Sequence, residues 1–206
     1  MKSFAFVFPG QGSQAVGMLD AWGDHPAVRQ TLDEASAALG QDLASFIHNG
    51  PKEDLALTTN TQPVMLVAGV AAYRAWRAEG GQAPAVVAGH SLGEYAALVA
   101  AEVLTLADAV PLVRLRAQAM QEAVPVGQGA MAAILGLTSA QVIEGCTQAQ
   151  ASFGADSTEV VDAANFNDPA QTVIAGSKAA VDKACELLKG MGAKRALLLP
   201  VSADRK

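Results

Sequence analysis

Ala85-Val86-Val87-Ala88-Gly89-His90-Ser91-Leu92-Gly93-Glu94-Tyr95-Ala96-Ala97-Leu98-Val99-Ala100-Ala101 decides how this chain is read. Ala85 to Ala88 is a short apolar run suited to a strand, Glu94 to Ala101 is a helix-forming run, and a G-x-S-x-G lies between them. A serine becomes a usable nucleophile where a sharp strand-to-helix turn lifts its Oγ clear of a sheet. The flanking glycines let the backbone make that turn without a Cβ clash. The same position also suits a helix N-cap, so the pattern alone leaves two roles for Ser91.

On the N-terminal side, Ser3 to Phe8 reads as a first buried strand ending in the turn Pro9-Gly10-Gln11-Gly12-Ser13. Ala27 to Leu39 has apolar residues at helical spacing, and Gln62-Pro63 opens a predicted helix Val64 to Glu79, stopped by Gly80-Gly81. On the C-terminal side a helix is predicted over Leu106 to Glu122, with Thr105 as N-cap, Pro111 as an irregularity and Pro125-Val126-Gly127-Gln128-Gly129 as its exit and a domain boundary. Beyond it come strand Ala130 to Leu135, helix Ser139 to Gln150, strands Val160 to Asn165 and Thr172 to Ala175, helix Ser177 to Gly190 and strand Arg195 to Leu199. Asn167-Asp168-Pro169 is the turn between the central strands. This β-α-β-β-α-β order is the split βαβ arrangement and predicts a small ferredoxin-like α+β subdomain. Thr138, Ser139 and Ser177 fall where helix caps are wanted and are read as caps.

With 206 residues the chain suits one large domain, or one domain carrying a smaller one. A composition 51% hydrophobic and 17% charged argues against disorder, and only 5% aromatics means a core of Ala, Val and Leu. A net charge of −6 gives no electrostatic reason to expect nucleic acid. Cys146 and Cys185 lack metal-ligand spacing and read as buried, inert thiols of a reducing compartment, so a cytoplasmic protein without a metal site is expected. The N-terminal apolar run meets Pro9-Gly10 too early for a signal-peptide core, and no run reaches membrane-spanning length, so no membrane partner is expected.

A nucleophile at Ser91 needs an oxyanion hole, a base and a substrate anchor. In an elbow the backbone N–H of the next residue, Leu92, is one oxyanion donor, and the second comes from a loop after another strand. Pro9 to Ser13 can turn its amides that way, although a Gly-rich turn can equally be a tight connector. It is not a dinucleotide fingerprint, because Gly17 comes two residues too late to complete Gly10-Gln11-Gly12.

Taken together, Phe8-Pro9-Gly10-Gln11-Gly12-Ser13-Gln14, Gly89-His90-Ser91-Leu92-Gly93-Glu94-Tyr95, and Arg114-Leu115-Arg116 through Met120-Gln121-Glu122 resemble the malonyl-CoA:acyl carrier protein transacylase family. Thr61-Gln62-Pro63 and Asn165-Phe166-Asn167 also look like family segments, so the resemblance covers nearly the whole chain. It implies an α/β-hydrolase-like large subdomain over 1–126, the ferredoxin-like insertion over 127–199, and a return to the large subdomain beginning at 200–206. It implies ping-pong transfer of malonyl from malonyl-CoA, through Ser91, to the phosphopantetheine thiol of an acyl carrier protein in fatty acid synthesis, with no cofactor. The backbone N–H groups of Gln11 and Leu92 would be the oxyanion donors, and Arg116 would hold the malonate carboxylate through two parallel hydrogen bonds. Gln62, His90 and Asn165 are candidate pocket residues, and Arg114, two residues from Arg116 on a helix, is read as structural.

The base is where this sequence departs from the family pattern. The family histidine follows a Pro-Val-Ser type segment in a P-x-H setting; here Pro200-Val201-Ser202-Ala203 is followed by Asp204-Arg205-Lys206. His25 reads as a turn residue, His48 as a helix end, and His90 leaves a strand on the side opposite Ser91. The expectation is a family member that ends before its base. An α/β-hydrolase-type esterase and a non-catalytic fragment binding CoA or carrier protein are the alternatives. Lys189, Lys194 and Arg195 form the candidate basic contact for an acidic carrier protein, and equally read as a solvated helix end.

Overall fold

The computed structural model describes residues 3–123 and 127–199. The readings made on Pro125-Val126 and on Pro200 to Lys206 lie outside the described residues. The chain is a mixed α/β protein that falls into two compact units, Met1–Glu122 and Ala123–Lys206.

In the first unit, β1 (Ala5–Phe8) pairs in parallel with β2 (Val86–Gly89), Phe8 standing opposite Gly89. One face of this pair is aromatic. Phe6 meets Tyr73 edge-on, ring centroids 5.3 Å apart, and Phe8 lies 6.2 Å from the same ring. Tyr73 belongs to α4 (Thr58–Ala78), whose buried residues run without interruption from Thr61 to Val67. A helical stretch buried on every side belongs at the centre of a core. Around it pack α1 (Pro26–Leu39), α3 (Lys52–Leu55), α5 (Gly93–Ala100) and α6 (Leu106–Glu122), with α2 (Leu43–Asn49) against α1, and Val28, Leu43, Ile47, Leu55, Ala96, Leu106 and Val110 inside.

Several boundaries differ from the sequence reading. α4 starts at Thr58, not Val64, and Pro63 lies inside it. The Leu57 carbonyl accepts from the N–H groups of Asn60 and Thr61, and the Thr61 hydroxyl also donates to Leu57, so a turn is already wound before the proline arrives. Pro63, the sixth residue of the helix, then forfeits one ladder bond, having no N–H to give the Thr59 carbonyl. His25 is the N-cap of α1, its Nδ1 accepting from Ala27 N–H at 3.2 Å and its Nε2 facing Glu79 at 3.0 Å, rather than only a turn residue. The short helix α2, with His48 in its last turn, was not foreseen as an element, although its end was. Thr105 caps α6 as expected, accepting from Asp108 N–H at 3.1 Å.

Close backbone approach explains the two glycines of the elbow. A Cβ at Gly93 would stand 2.2 Å from the Phe8 carbonyl oxygen, and one at Gly89 1.9 Å from the Gly93 carbonyl carbon. Backbone atoms cannot rotate aside as a side chain can. Gly93→Ala is therefore expected to lower unfolding free energy by about 3 kcal/mol or more, seen as a lower urea midpoint.

In the second unit, β3 (Gly129–Leu135), β4 (Val161–Asp168), β5 (Gln171–Ser177) and β6 (Arg195–Leu199) form an antiparallel sheet ordered β4-β5-β3-β6. Helices α7 (Ser139–Ala151) and α8 (Lys178–Gly190) pack on each other over a core of Ala132, Ile134, Val142, Ile174, Val181 and Leu188. Ala132 and Ile134 are two apart in β3 and so share one face. The β4–β5 turn is tighter than expected: both strands extend inward to Asp168 and Gln171, and Asp168 Oδ1 accepts from Ala170 N–H at 2.9 Å.

Thr138 caps α7 in a full capping box with Gln141. Ser177 corrects its reading. It occupies the N-cap position of α8, but its hydroxyl makes no cap hydrogen bond; it donates to Glu159 and accepts from Val160 N–H at 3.0 Å, closing the entry to β4.

Cys146 and Cys185 are free and buried. Burial, reinforced by Asp162, pushes the Cys146 thiol from an ordinary 9.0 up to about 11, and burial also raises Cys185. The folded chain thus holds the Cys146 proton more tightly than the unfolded chain. The stability this contributes is complete below pH 9.0 and is lost as pH rises through about 11. Native protein at pH 8 is expected to resist iodoacetamide at both thiols and to react once unfolded in urea, as read by intact mass.

Candidate active site

Because β1 and β2 are parallel and in register at Phe8 and Gly89, their C-terminal turns lie side by side. The carboxyl ends of parallel strands are where open α/β sheets bind ligands. Gly10 approaches within 3.0 Å of the His90 carbonyl oxygen, measured to an ideal Cβ, so Pro9-Gly10-Gln11-Gly12 leans directly on the elbow. Gln11 ties this loop to the first turn of α4, its Nε2 donating to Thr58 Oγ1 at 3.3 Å. Gly12 takes φ 115°, and its N–H is held by Gln14 Oε1 at 2.8 Å.

Ser91 has φ 52°, a left-handed conformation that a non-glycine residue adopts at a cost of about 1–2 kcal/mol. The N-cap of α5 is Leu92, with no side-chain cap bond. Of the two roles open to Ser91 from its pattern, helix capping is therefore excluded. Gly93 N–H donates to His90 O at 2.9 Å and Glu94 N–H to Ser91 O at 3.2 Å, winding the turn tightly into the helix. Among the described residues, the N–H groups of Gln11 and Leu92 have no hydrogen-bond partner.

Arg116, on α6, reaches the serine. Its Nη2 donates to Ser91 Oγ at 3.1 Å and its Nη1 to Gln62 Oε1 at 2.8 Å. Gln62 is 1% exposed, and its Nε2 contacts Met120 Sδ at 3.4 Å, so one buried amide links α4 to two successive turns of α6. Among the described residues Arg116 is in no ion pair. Arg114 points elsewhere: Nη2 donates to Gln41 Oε1 at 2.7 Å, its Nε is buried without a partner, and burial lowers its pKa. It clamps α6 to the segment between α1 and α2.

Ser91, Arg116 and Gln62 are thus brought together by hydrogen bonds, and Gln11 and Leu92 by the paired turns. Asn165 lies on β4 of the second unit, between two register shifts. His25 and His48 are each engaged with a carboxylate, Glu79 and Asp20, and no histidine among the described residues is hydrogen-bonded to Ser91 Oγ. Among the described residues there is also no metal-binding cluster and no helix long and apolar enough to cross a membrane. Sequence reasoning did not foresee that Tyr95 and Met120 would touch the site; Met120 sits one helical turn from Arg116 on α6, which is the signal that could have found it, and Tyr95 closes the quoted Gly89 to Tyr95 segment.

A serine at positive φ in a sharp turn from a parallel strand into a helix places the chain among mixed α/β proteins with a strand–turn–helix G-x-S-x-G segment. Within that class the chain belongs to the family described as the acyl transferase domain, whose model matches residues 5–202. It is 56% identical over 203 residues to the malonyl CoA-acyl carrier protein transacylase of Escherichia coli (strain K12), covering 98% of this chain and 64% of that protein. It superposes with TM-score 0.90, at 63% identity, on an acyl-carrier-protein S-malonyltransferase from Burkholderia pseudomallei 1710b, covering 98% of this chain and 64% of the other. A complex of a type II PKS acyl-carrier protein with its malonyl-transacylase matches with TM-score 0.89 at 49% identity, covering 98% and 64%. The chain thus spans about 64% of the length of these relatives.

Proposed function

We propose that the chain carries the acyl-loading site of a malonyl transferase. Ser91 Oγ attacks the thioester carbonyl of malonyl-CoA, the C–S bond breaks, and the serine proton leaves with the departing CoA thiol. The phosphopantetheine thiol of an acyl carrier protein then attacks the malonyl-serine ester and restores the Ser91 hydroxyl. The N–H groups of Gln11 and Leu92, unpartnered among the described residues, receive the oxyanion in both steps. No cofactor enters either step.

The observation that carries this reading is Arg116: a guanidinium on the nucleophile, held by a neutral amide and paired with no carboxylate among the described residues. A cation so placed selects an acyl group with a free carboxylate, which malonyl has and acetyl lacks. In this reading His90 lines the acyl pocket together with Gln62. The relatives are named as malonyl transferases, which supports the substrate. Incubation with malonyl-CoA, intact mass and peptide mapping test it: one malonyl group on Ser91, dischargeable to holo carrier protein, is expected. A modified residue other than Ser91, or no adduct, overturns it.

The first unit is read as α/β-hydrolase-like over 1–126, supported by the parallel pair that feeds the elbow, and the second as ferredoxin-like over 127–199, supported by the β4-β5-β3-β6 order. The free, buried thiols support a cytoplasmic location. Lys189, Lys194 and Arg195 are the contact for the acidic carrier: they are exposed where α8 ends and β6 begins, and none is ion-paired among the described residues. Lys194→Glu with Arg195→Glu is expected to weaken carrier binding about tenfold or more and to flatten its salt dependence; unchanged binding refutes the contact.

A further inference from the structure

Three groups surround the Arg116 guanidinium. Ser91 Oγ and Gln62 Oε1 each accept a hydrogen from it, and its carbon Cζ lies over the Tyr95 ring, 5.7 Å from the centroid. Tyr95 lies in the first turn of α5, which the Ser91 turn feeds directly. The ring is partly buried and packed against the apolar core, which limits its freedom to turn away.

This matters because an arginine side chain carries about 2 kcal/mol of rotamer entropy, and a guanidinium that swings cannot present two parallel N–H groups to a carboxylate. An anionic partner would hold it but would also neutralise the charge that the substrate must meet. An aromatic face attracts a cation through its quadrupole and leaves the charge intact. The two hydrogen bonds and the ring contact together hold the guanidinium without a competing carboxylate.

We infer that Tyr95 is a positioning residue for malonyl selection: its ring keeps the Arg116 guanidinium oriented toward the carboxylate of the incoming acyl group. The inference rests on the malonyl reading above. It assigns the function to the ring rather than the hydroxyl, so Tyr95→Phe preserves it and Tyr95→Leu, which keeps apolar bulk, removes it.

The test compares wild type, Tyr95→Phe, Tyr95→Leu and Arg116→Ala in acylation of Ser91 by malonyl-CoA and by acetyl-CoA, with the Arg116 Nε–H resonance followed by ¹⁵N NMR. Tyr95→Leu is expected to lose the ring-current shift of that resonance and to raise KM for malonyl-CoA, lowering the malonyl-over-acetyl preference about 3- to 30-fold. Tyr95→Phe keeps both. A wild-type preference in Tyr95→Leu beside a lost preference in Arg116→Ala overturns the role of Tyr95 and leaves the malonyl reading standing. An unchanged preference in Arg116→Ala overturns the malonyl reading itself. Equal losses in Tyr95→Phe and Tyr95→Leu assign the effect to the hydroxyl and refute the inference. The NMR shift reports the ring contact independently of any acylation.

Discussion

Ser91→Ala is expected to abolish acylation by malonyl-CoA, with a fall in transfer rate of about 10⁴-fold or more, the scale seen when a serine nucleophile is removed from an elbow or triad site. The reason is structural as well as chemical. The chain holds Ser91 at φ 52°, wedges glycines on both sides of it, and points its Oγ at Arg116. Such strain persists only where surrounding structure over-determines it, and it is lost as a cost if the residue has no task there. Alanine is strained at this φ as serine is and differs by the hydroxyl alone. Intact mass should show no malonyl adduct, while the urea midpoint changes little. A Ser91→Ala chain that still acquires a malonyl ester would place the nucleophile elsewhere.

Arg116→Ala is expected to cost about 2–5 kcal/mol in malonyl transfer, the usual scale for stranding a desolvated charge partner. That is a loss of roughly 30-fold to several thousandfold in kcat/KM. Acetyl transfer should fall by far less, since an acetyl group offers no carboxylate to the guanidinium. Gln62 is the next link: with Arg116 gone, its buried Oε1 loses the hydrogen bond of 2.8 Å, so part of any stability change belongs to that orphaned acceptor and not to catalysis. Measuring both substrates on one preparation separates the two effects, and equal losses for malonyl and acetyl would refute a carboxylate-binding role.

Local chemistry made much of the architecture legible. The strand before Ser91 and the helix after it, the caps at Thr138 and Thr105 and the element order of the second unit all follow from neighbours a few residues apart. Where the reading failed, a distant or competing contact had intervened. The start of α4 was misplaced because Pro63 is a strong local stop signal, whereas Thr61 and the Leu57 carbonyl wind the helix ahead of it. Ser177 looked like a cap by position, but Glu159 and Val160, brought in by strand pairing, claim its hydroxyl.

The site divides along the same line. Gly89, Ser91 and Gly93 were marked by the sequence alone, because a sharp strand-to-helix turn imposes its residue types at fixed spacing whatever else the chain does. That Ser91 is a strained elbow residue and not a helix cap was decided only by tertiary structure, as was the convergence of Gln62, Tyr95, Arg116 and Met120 upon it. These residues come from three helices, α4, α5 and α6, and periodicity shows which side of a helix is buried without showing what meets it there. The packing of α4 between α5 and α6 sets those meetings, and with them where a positive charge stands beside the serine.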